Sequence, residues 1–318
     1  MDNICHTLVG AALAQAGLQR RTRYGMATLL IGANLPDVDA LTYVGGGGLT
    51  ALCFRRGWTH GVLALVVLPL ALTALIWAWH RWIGRGKAGD TAPPMRLDQV
   101  ALLAAVSILT HPTLDYMNTY GMRWLMPFVN RWFYADGLFI ADPWIWIVLG
   151  VGVFLARDRR EPEVGERSFR KPFLNPAAIA LVAVALYAGA MVAASAVSRR
   201  LVERELRAGG AAPLRVLASP VPLNPFRRAI LIDEGDTYRV GRVNWLERPA
   251  FTLDSLVVPV NRSSPAAQAA AQSKEGRVFL GWARFPFFVV ESTGVVHIVD
   301  ARYTLDPDAG FGAVTIRR

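Results

Sequence analysis

The segment SILTHPTLDYMNTYG, residues 107–121, places a histidine and an aspartate four positions apart at the end of an apolar stretch. On an α-helix, residues i and i+4 share a face, so His111 and Asp115 would point in the same direction. An ionisable side chain at membrane depth is costly unless it is paired or hydrated. The pair therefore predicts either two ligands of one metal ion or a hydrogen-bonded His–Asp pair inside a helical bundle.

Further histidines and aspartates stand at the ends of other apolar stretches. One histidine opens the first stretch, LPDVD ends the second, and RGWTH precedes the third. Neutral imidazole nitrogens and carboxylate oxygens suit Zn²⁺, and also Mn²⁺ or Fe²⁺. The predicted ligands of one or two divalent ions are His6, Asp37, Asp39, His60, His111 and Asp115.

A divalent ion with an open coordination position lowers the pKa of bound water to about 7 and polarises a carbonyl or phosphoryl oxygen. Hydrolysis is therefore the predicted reaction class, with Asp37 and Asp115 taking part in catalysis. Arg55 and Arg56 are predicted to bind a substrate phosphate, because guanidinium groups match phosphate oxygens. Two alternatives remain at this point: PDVD as a turn with an aspartate helix cap, and arginines that only meet lipid headgroups.

The composition indicates an integral membrane protein. Of the 318 residues, 53% are hydrophobic and 18% are charged, whereas an ordinary soluble domain carries about 25% charged residues. The apolar residues are concentrated before residue 198. The two cysteines form no CxxC pair and are too few for a disulfide framework.

Six apolar segments precede residue 198. A bilayer span needs about 20 residues at a rise of 1.5 Å per residue. The third, fourth and sixth segments reach this length, whereas the others either tilt into the bundle or enter one leaflet. The predicted fold is a mainly α membrane helical bundle over residues 1–198, with about six apolar segments at 4–18, 24–35, 61–79, 98–117, 143–156 and 176–197.

The basic residues predict which connections face the cytoplasm. Connections 19–23, 81–98 and 157–171 carry 13 lysines and arginines, whereas 36–60 and 116–142 carry 4. Positive charge marks cytoplasmic loops. The metal-ligand candidates and the C-terminal domain are therefore predicted on the external, periplasmic side of the inner membrane. This distribution also accounts for most of the net charge of +10, so no nucleic-acid partner is expected.

Residues 199–318 are predicted to form a small, soluble, antiparallel β (α+β) domain. Alternating apolar residues occur at 229–246, at 277–305 and in FGAVTIRR. The EGD and STG turns indicate hairpins. Residues 263–276 favour either a helix or a loop.

Four motifs, MDNICHTLVGAAL, LPDVDAL, RGWTHG and LTHPTLDYMNTYGMRWLMPF, together resemble the bacterial membrane-bound metal-dependent hydrolases, the LexA-regulated inner-membrane family. The resemblance covers roughly residues 1–156. That family is distantly similar to the all-α zinc-dependent phospholipase C and P1 nuclease group. The resemblance implies that His111 and Asp115 match the His-x-x-x-Asp ligands. It implies that His6, His60 and one of Asp37 or Asp39 supply upstream ligands.

These observations favour one function and leave an alternative. The first is an integral membrane metal-dependent hydrolase that acts on a phosphoester of a lipid or lipid-linked substrate, with membrane lipids as its partners. The alternative is a membrane scaffold or transporter-like protein whose metal site is structural and non-catalytic. A closed four-ligand shell would favour the scaffold, and an open position beside a basic group would favour the hydrolase.

Overall fold

The computed structural model describes residues 1–84, 93–157 and 175–317. Much of the two long basic connections predicted to be cytoplasmic, 81–98 and 157–171, lies outside these residues. The chain divides into two compact units. The first is Met1–Asp39 with Arg55–Val192, and the second is Ala40–Phe54 with Ala193–Arg318. The boundary predicted between residues 198 and 199 falls inside a continuous helix, and it stays a prediction.

All six predicted apolar segments are helical. The helices of the described residues are α1 Asn3–Gln15, α2 Gly25–Asn34, α3 Thr42–Phe54, α4 Ala64–Trp79, α5 Leu97–Tyr116, α6 Pro143–Arg157, α7 Pro176–Ala208, α8 Pro265–Gln272 and α9 Lys274–Leu280. Two 3-10 helices, Leu18–Arg21 and Leu35–Leu41, follow α1 and α2, and a π-helical turn, His80–Gly84, extends α4. The helical part of the fold prediction is therefore confirmed.

The predicted number of membrane spans is too high. Among the described residues, three helical stretches are long and apolar enough to cross a membrane: Ala64–Gly84, Leu97–Tyr116 and Pro176–Ala208. The helix α6 is apolar but shorter. The helices α1 and α2 contain 13 and 10 residues, well below the length of about 20 that a span requires. Gly17, with φ of 114°, precedes the turn that separates them.

Close packing of α1, α2 and α5 brings the candidate ligands of the first unit together. A Cβ added to Gly10 of α1 would lie 2.8 Å from the carbonyl oxygen of Leu29 in α2. A Cβ added to Gly32 of α2 would meet the hydroxyl of Ser107 in α5. Because these contacts leave no room for larger side chains, the helices approach closely and their polar ends converge.

The second unit contains two antiparallel sheets, so the predicted C-terminal antiparallel β region is confirmed. The first sheet has the order β1 Arg215–Pro220, β2 Arg227–Asp233, β3 Thr237–Asn244 and β4 Phe251–Pro259; the second has β5 Pro286–Val290, β6 Val296–Asp300 and β7 Ala313–Ile316. The sequence patterns missed β1 and β4. They also assigned the start of 277–305 to a strand, whereas those residues continue the helix α9.

The end of α7 packs along the four-stranded sheet. Val202 and Leu206 of the helix are buried in one apolar cluster with Val216, Ile230 and Ile232 of the sheet. The strands provide alternating buried residues for this contact, since successive side chains of a strand point to opposite faces. The same cluster attaches this sheet to the helix that continues from the apolar run at 176–197.

Candidate metal centre

The structure brings all six predicted metal ligands into one buried cluster of the first unit. The side chains come from α1, from the 3-10 helix after α2, from the turn before α4 and from α5. Each is less than a tenth exposed: His6, Asp37, Asp39, His60, His111 and Asp115. Separate segments therefore supply imidazole and carboxylate groups to one place, as their positions at the ends of apolar stretches predicted.

Local capping sets the position of the first histidine. Asp2 caps α1, and its carboxylate accepts hydrogen bonds from the backbone N–H groups of Ile4, at 2.9 Å, and Cys5, at 3.1 Å. The Asp2 carboxylate also accepts a hydrogen bond from the Trp146 indole at 3.1 Å. These contacts fix the start of the helix, so that His6 lies on the face of α1 that packs toward α5.

Two imidazole nitrogens of the centre each lie within about 4 Å of one Asp37 oxygen and one Asp115 oxygen. His111 Nε2 lies 3.7 Å from both Asp37 Oδ1 and Asp115 Oδ2. His60 Nε2 lies 4.0 Å from Asp37 Oδ1 and 3.4 Å from Asp115 Oδ2. In a tetrahedral zinc site with bonds of about 2.0 Å, neighbouring ligand atoms are about 3.3 Å apart. These four separations are about 0.1–0.7 Å longer than that value, and Asp37 and Asp115 belong to different candidate ligand groups.

His6 lies beside this group of four. Its ring stacks on the ring of His111, with centroids 3.6 Å apart and an interplanar angle of 13°. Its Nε2 lies 3.5 Å from Asp115 Oδ1, the carboxylate oxygen that the Met1 amino group also contacts. His6, Asp37 and His111 form one candidate ligand group, and His60, His111 and Asp115 form another.

Hydrogen bonds at the far ring nitrogens orient two of the imidazoles. His111 Nδ1 lies 2.7 Å from the carbonyl oxygen of Ala33, to which it donates its proton. His60 Nδ1 lies 2.9 Å from the hydroxyl of Thr59. Such contacts fix the tautomer and leave Nε2 available as a ligand. Because His111 offers a single nitrogen, it can bind a single ion even though it belongs to both candidate groups.

Asp39 is placed behind His60, and neither candidate ligand group includes it. Its carboxylate accepts hydrogen bonds from Thr59 Oγ1 at 3.0 Å, from the Arg56 backbone N–H at 2.8 Å and from Arg55 Nη1 at 2.8 Å. Its Oδ2 lies 3.4 Å from His60 Nδ1, the nitrogen that faces away from the centre. This position favours an orienting role for Asp39, although its prediction as a ligand stays a prediction.

Seven polar atoms at the centre are buried and have no hydrogen-bond partner among the described residues: His6 Nδ1, His6 Nε2, Asp37 Oδ1, Asp37 Oδ2, His60 Nε2, His111 Nε2 and Asp115 Oδ2. A buried polar group without a partner costs about 1–3 kcal/mol. Six of them can donate an electron pair to a cation at one time, because a neutral His6 ring has a free electron pair on only one nitrogen. The buried Nε of Arg56 in the same cluster also makes no hydrogen bond with the described residues, although it lies 3.0 Å from Asp115 Oδ2 in an ion pair. The residues present therefore fit a divalent metal ion.

The charges around the centre favour the protonation states that metal binding needs. Burial opposes ionisation of Asp37, but His111, Arg55 and His60 outweigh it and hold the pKa of Asp37 well below its ordinary value. Burial, followed by the charge of His111, lowers the pKa of His60 well below its ordinary value. Burial raises the pKa of Asp39. At neutral pH the centre therefore presents an ionised Asp37 and a neutral His60 imidazole.

The two predicted substrate-binding arginines occupy different positions. Arg56 is buried, and its Nε lies 3.0 Å from Asp115 Oδ2. Its Nη1 donates to Asn118 Oδ1 and to the Gly121 carbonyl, both at 3.1 Å. The Arg55 side chain is 17% exposed, and its Nη1 lies 3.3 Å from Asp37 Oδ1. Arg55 therefore lies nearer to solvent, and Arg56 supports Asp115 from inside.

Two residues of the cluster were missed in the sequence. Asn118 follows Asp115 by three positions, and this spacing was a signal that could have indicated proximity, although α5 ends at Tyr116 and Asn118 lies just beyond it. Thr59 carried no comparable signal, because its contact with Asp39 depends on the path of the turn that precedes α4.

Comparison with known proteins identifies the family. The model of the family described as YdjM inner membrane protein matches residues 1–201, which include every residue of the centre. The chain belongs to the YdjM inner membrane protein family. The chain is also similar to the inner membrane protein YbcI of Escherichia coli (strain K12), with 31% identity over 108 residues, 33% of this chain and 55% of YbcI. The chain thus spans about half the length of this relative.

No solved structure matches the chain. The YdjM family and the YbcI likeness confirm an inner-membrane protein, as the composition and the motifs predicted. Neither description names a hydrolase or a phospholipase C. The predicted hydrolase resemblance, the metal and the orientation across the membrane therefore stay predictions.

Proposed function

We propose that this YdjM-family chain is a metal-dependent hydrolase of the inner membrane, which acts on a phosphoester bond of a lipid or lipid-linked substrate. The observation that carries the proposal is the set of buried imidazole nitrogens and carboxylate oxygens, on three histidines and two aspartates, that have no hydrogen-bond partner in the part of the chain that the structure describes. Arg55 and Arg56 form ion pairs with the two carboxylates. A folded protein rarely leaves so many buried polar atoms without a hydrogen bond, and a bound cation would satisfy several of them together.

The residues that would hold the ion are His60, His111, Asp37 and Asp115, with His6 as a fifth group beside them. Two imidazole nitrogens and two carboxylate oxygens suit Zn²⁺ first, with Mn²⁺ or Fe²⁺ as alternatives. When bound, the ion would supply a Lewis acid and a water of lowered pKa. His6 could complete the shell of one ion or contribute to a second.

The chain's own residues would then bind the substrate and maintain the charge of the site. Arg55 lies at the more exposed side of Asp37, where its guanidinium can meet a phosphate oxygen. Arg56 neutralises the buried charge of Asp115 and holds that carboxylate in place. Asp37 stays ionised and serves as a ligand instead of a proton donor. The apolar packing of α1, α2 and α5 excludes water from the other sides of the centre.

We further propose that the centre faces the periplasm. The support is the excess of lysines and arginines in connections 19–23, 81–98 and 157–171, which marks them as cytoplasmic. A metal centre at the opposite membrane face could reach the phosphoester of a lipid without extracting the lipid from the bilayer.

A structural metal site in a membrane scaffold is the second candidate. The presence of four neighbouring protein atoms that can bind a metal favours it, because structural zinc sites are closed by four protein ligands. Catalytic sites instead keep one position for water or substrate. The two candidates share the metal and differ in turnover.

Metal analysis and a hydrolysis panel test the proposal. The full chain is purified in detergent beside His111→Ala, Asp115→Ala and the control Asp98→Asn, which alters an exposed carboxylate paired with Arg96. We expect stoichiometric metal in the wild type and control, and loss of metal from the two ligand variants. Equal metal content in all four proteins would refute the ligand assignment.

The same proteins are then assayed on phospholipids and on synthetic phosphodiesters, with and without a chelator. Hydrolysis by the wild type that disappears on chelation and returns on metal addition would support the hydrolase. Wild-type metal content without turnover on any phosphoester would refute it and support the structural site.

A further inference from the structure

The first sheet of the second unit exposes apolar side chains at one end. This end carries two loops, residues 221–226 between β1 and β2 and residues 245–250 between β3 and β4, which we call the loop pair. Leu223, Phe226 and Leu246 are 66%, 50% and 71% exposed. The loops lie side by side, since the Trp245 backbone N–H donates to the Phe226 carbonyl oxygen at 3.1 Å.

The loop pair lies at the end of the sheet that contacts the apolar part of α7. Arg228, the second residue of β2, is buried and donates from Nε to Ser195 Oγ at 2.9 Å. Ser195 belongs to the apolar run at 176–197, and the exposed Arg199 and Arg200 follow it. The loop pair is therefore level with the place where a candidate membrane span ends and the charged part of α7 begins.

The opposite end of the sheet lies farther along α7. The helix runs from Ser195 beside Arg228 to Leu206, which is about 16 Å at 1.5 Å per residue. Leu206 packs with Ile232 near the other end of β2, where the Leu214 backbone N–H donates to the Asp233 carbonyl oxygen. The length of β2 puts this end about 20 Å from the loop pair.

The composition of the loop pair suits a bilayer surface. Large apolar side chains stand at its tips, and Trp245 lies behind them, a residue type enriched at the headgroup level of membranes. The exposed Arg227 and Arg248 can meet lipid phosphates, although Arg227 Nη2 also lies 3.6 Å from Glu247 Oε1. Interfacial segments of this kind bury apolar side chains about 5–10 Å into the boundary between headgroups and acyl chains.

We propose that the loop pair is a membrane-contacting surface, which inserts Leu223, Phe226 and Leu246 into the headgroup region of the phospholipid bilayer that α7 crosses. The occupant of this surface is the lipid itself, because the loop pair is level with the end of the apolar run of α7, a candidate membrane span. The insertion holds the four-stranded sheet against the membrane at two points, the helix and the loops. This inference does not depend on the proposed hydrolase activity.

Site-directed fluorescence of the full chain tests the surface. Leu246→Cys and Leu223→Cys are made with Cys53→Ser, which removes the exposed thiol, whereas Cys5 is buried and does not react. The matched control is Leu214→Cys, since Leu214 is 70% exposed on the same sheet at its opposite end. Each protein carries a nitrobenzoxadiazole label and is reconstituted into phosphatidylethanolamine and phosphatidylglycerol vesicles.

We expect labels at 246 and 223 to emit at shorter wavelength than the label at 214. We also expect doxyl-labelled lipid to quench them and aqueous iodide to leave them largely unaffected. The label at 214 should show the reverse pattern. Iodide quenching at 246 and 223 equal to that at 214 would overturn the proposal. Protection from both quenchers would also overturn it, because protein would then cover the loops.

Discussion

Replacing Asp39 by asparagine tests how the candidate centre orients its ligands. Asp39 Oδ2 accepts a hydrogen bond from Thr59 Oγ1, and Thr59 Oγ1 lies 2.9 Å from His60 Nδ1. The carboxylate thus holds the imidazole of His60 through a hydroxyl. Asparagine keeps the size of the side chain and removes its charge, so the change affects orientation and electrostatics without opening a cavity.

The size of the effect follows from these contacts. Loss of a group that orients a metal ligand costs roughly 10–100-fold in metal affinity. We expect about tenfold for Asp39→Asn, because Thr59 still contacts His60 Nδ1. One tenfold change corresponds to about 1.4 kcal/mol. Thr59→Val should lower the metal affinity by about the same factor. The double variant should lower it by less than the product of the two factors, since Asp39 and Thr59 belong to one hydrogen-bond network.

The assay is a competition titration of zinc between the purified full chain and a chromophoric chelator. Asp98→Asn is the matched control, because Asp98 is exposed and far along α5 from the centre. We expect Asp39→Asn to lose part of its zinc affinity, whereas Asp98→Asn should keep the wild-type affinity and His111→Ala should not bind zinc. Wild-type affinity would refute an orienting role, and complete loss of binding would instead make Asp39 a direct ligand.

Three further predictions concern packing, pH and topology. Gly10→Ala should lower the free energy of unfolding by about 1–2 kcal/mol, because the added Cβ would meet the Leu29 carbonyl oxygen. Gly150→Ala is the control and should leave the free energy of unfolding unchanged, because a Cβ there meets open space. Thermal melts of the two variants measure the difference. Burial lowers the pKa of His60 in the folded protein. As the pH falls below about 6.5, the ordinary pKa of histidine, His60 is therefore protonated in the unfolded chain but not in the folded one, and the metal-free protein should lose stability. In thermal melts at several pH values, the stability of chelator-treated His60→Gln should depend less steeply on pH than that of the chelator-treated wild type. Reporter fusions should report cytoplasmic positions at residues 90 and 165 and an external one at 318; a cytoplasmic signal at 318 would reverse the proposed orientation.

Much of the helical architecture was predictable because it depends on local pattern. Long apolar runs predict helices, and the i, i+4 spacing alone places His111 and Asp115 on one face. The number of membrane spans was harder to predict, since α1 and α2 are apolar but short: α1 ends just before Gly17 and α2 begins just after Tyr24. In the second unit, the EGD and STG turns predicted their hairpins, whereas β4 carries mostly exposed residues and gave no alternating pattern.

The sequence by itself determined which histidines and aspartates form the candidate centre and that they belong to a membrane protein, because residue types and the lengths of apolar runs are local properties. The tertiary structure alone decided how those groups divide their roles. It placed Asp37 toward His111 and Asp39 behind His60, although the two aspartates are two positions apart in one motif. It also gave Arg55 a partly exposed position and Arg56 a buried one. These choices depend on the path of short turns and on close helix packing, which join residues far apart in the chain and leave no periodic trace in the sequence.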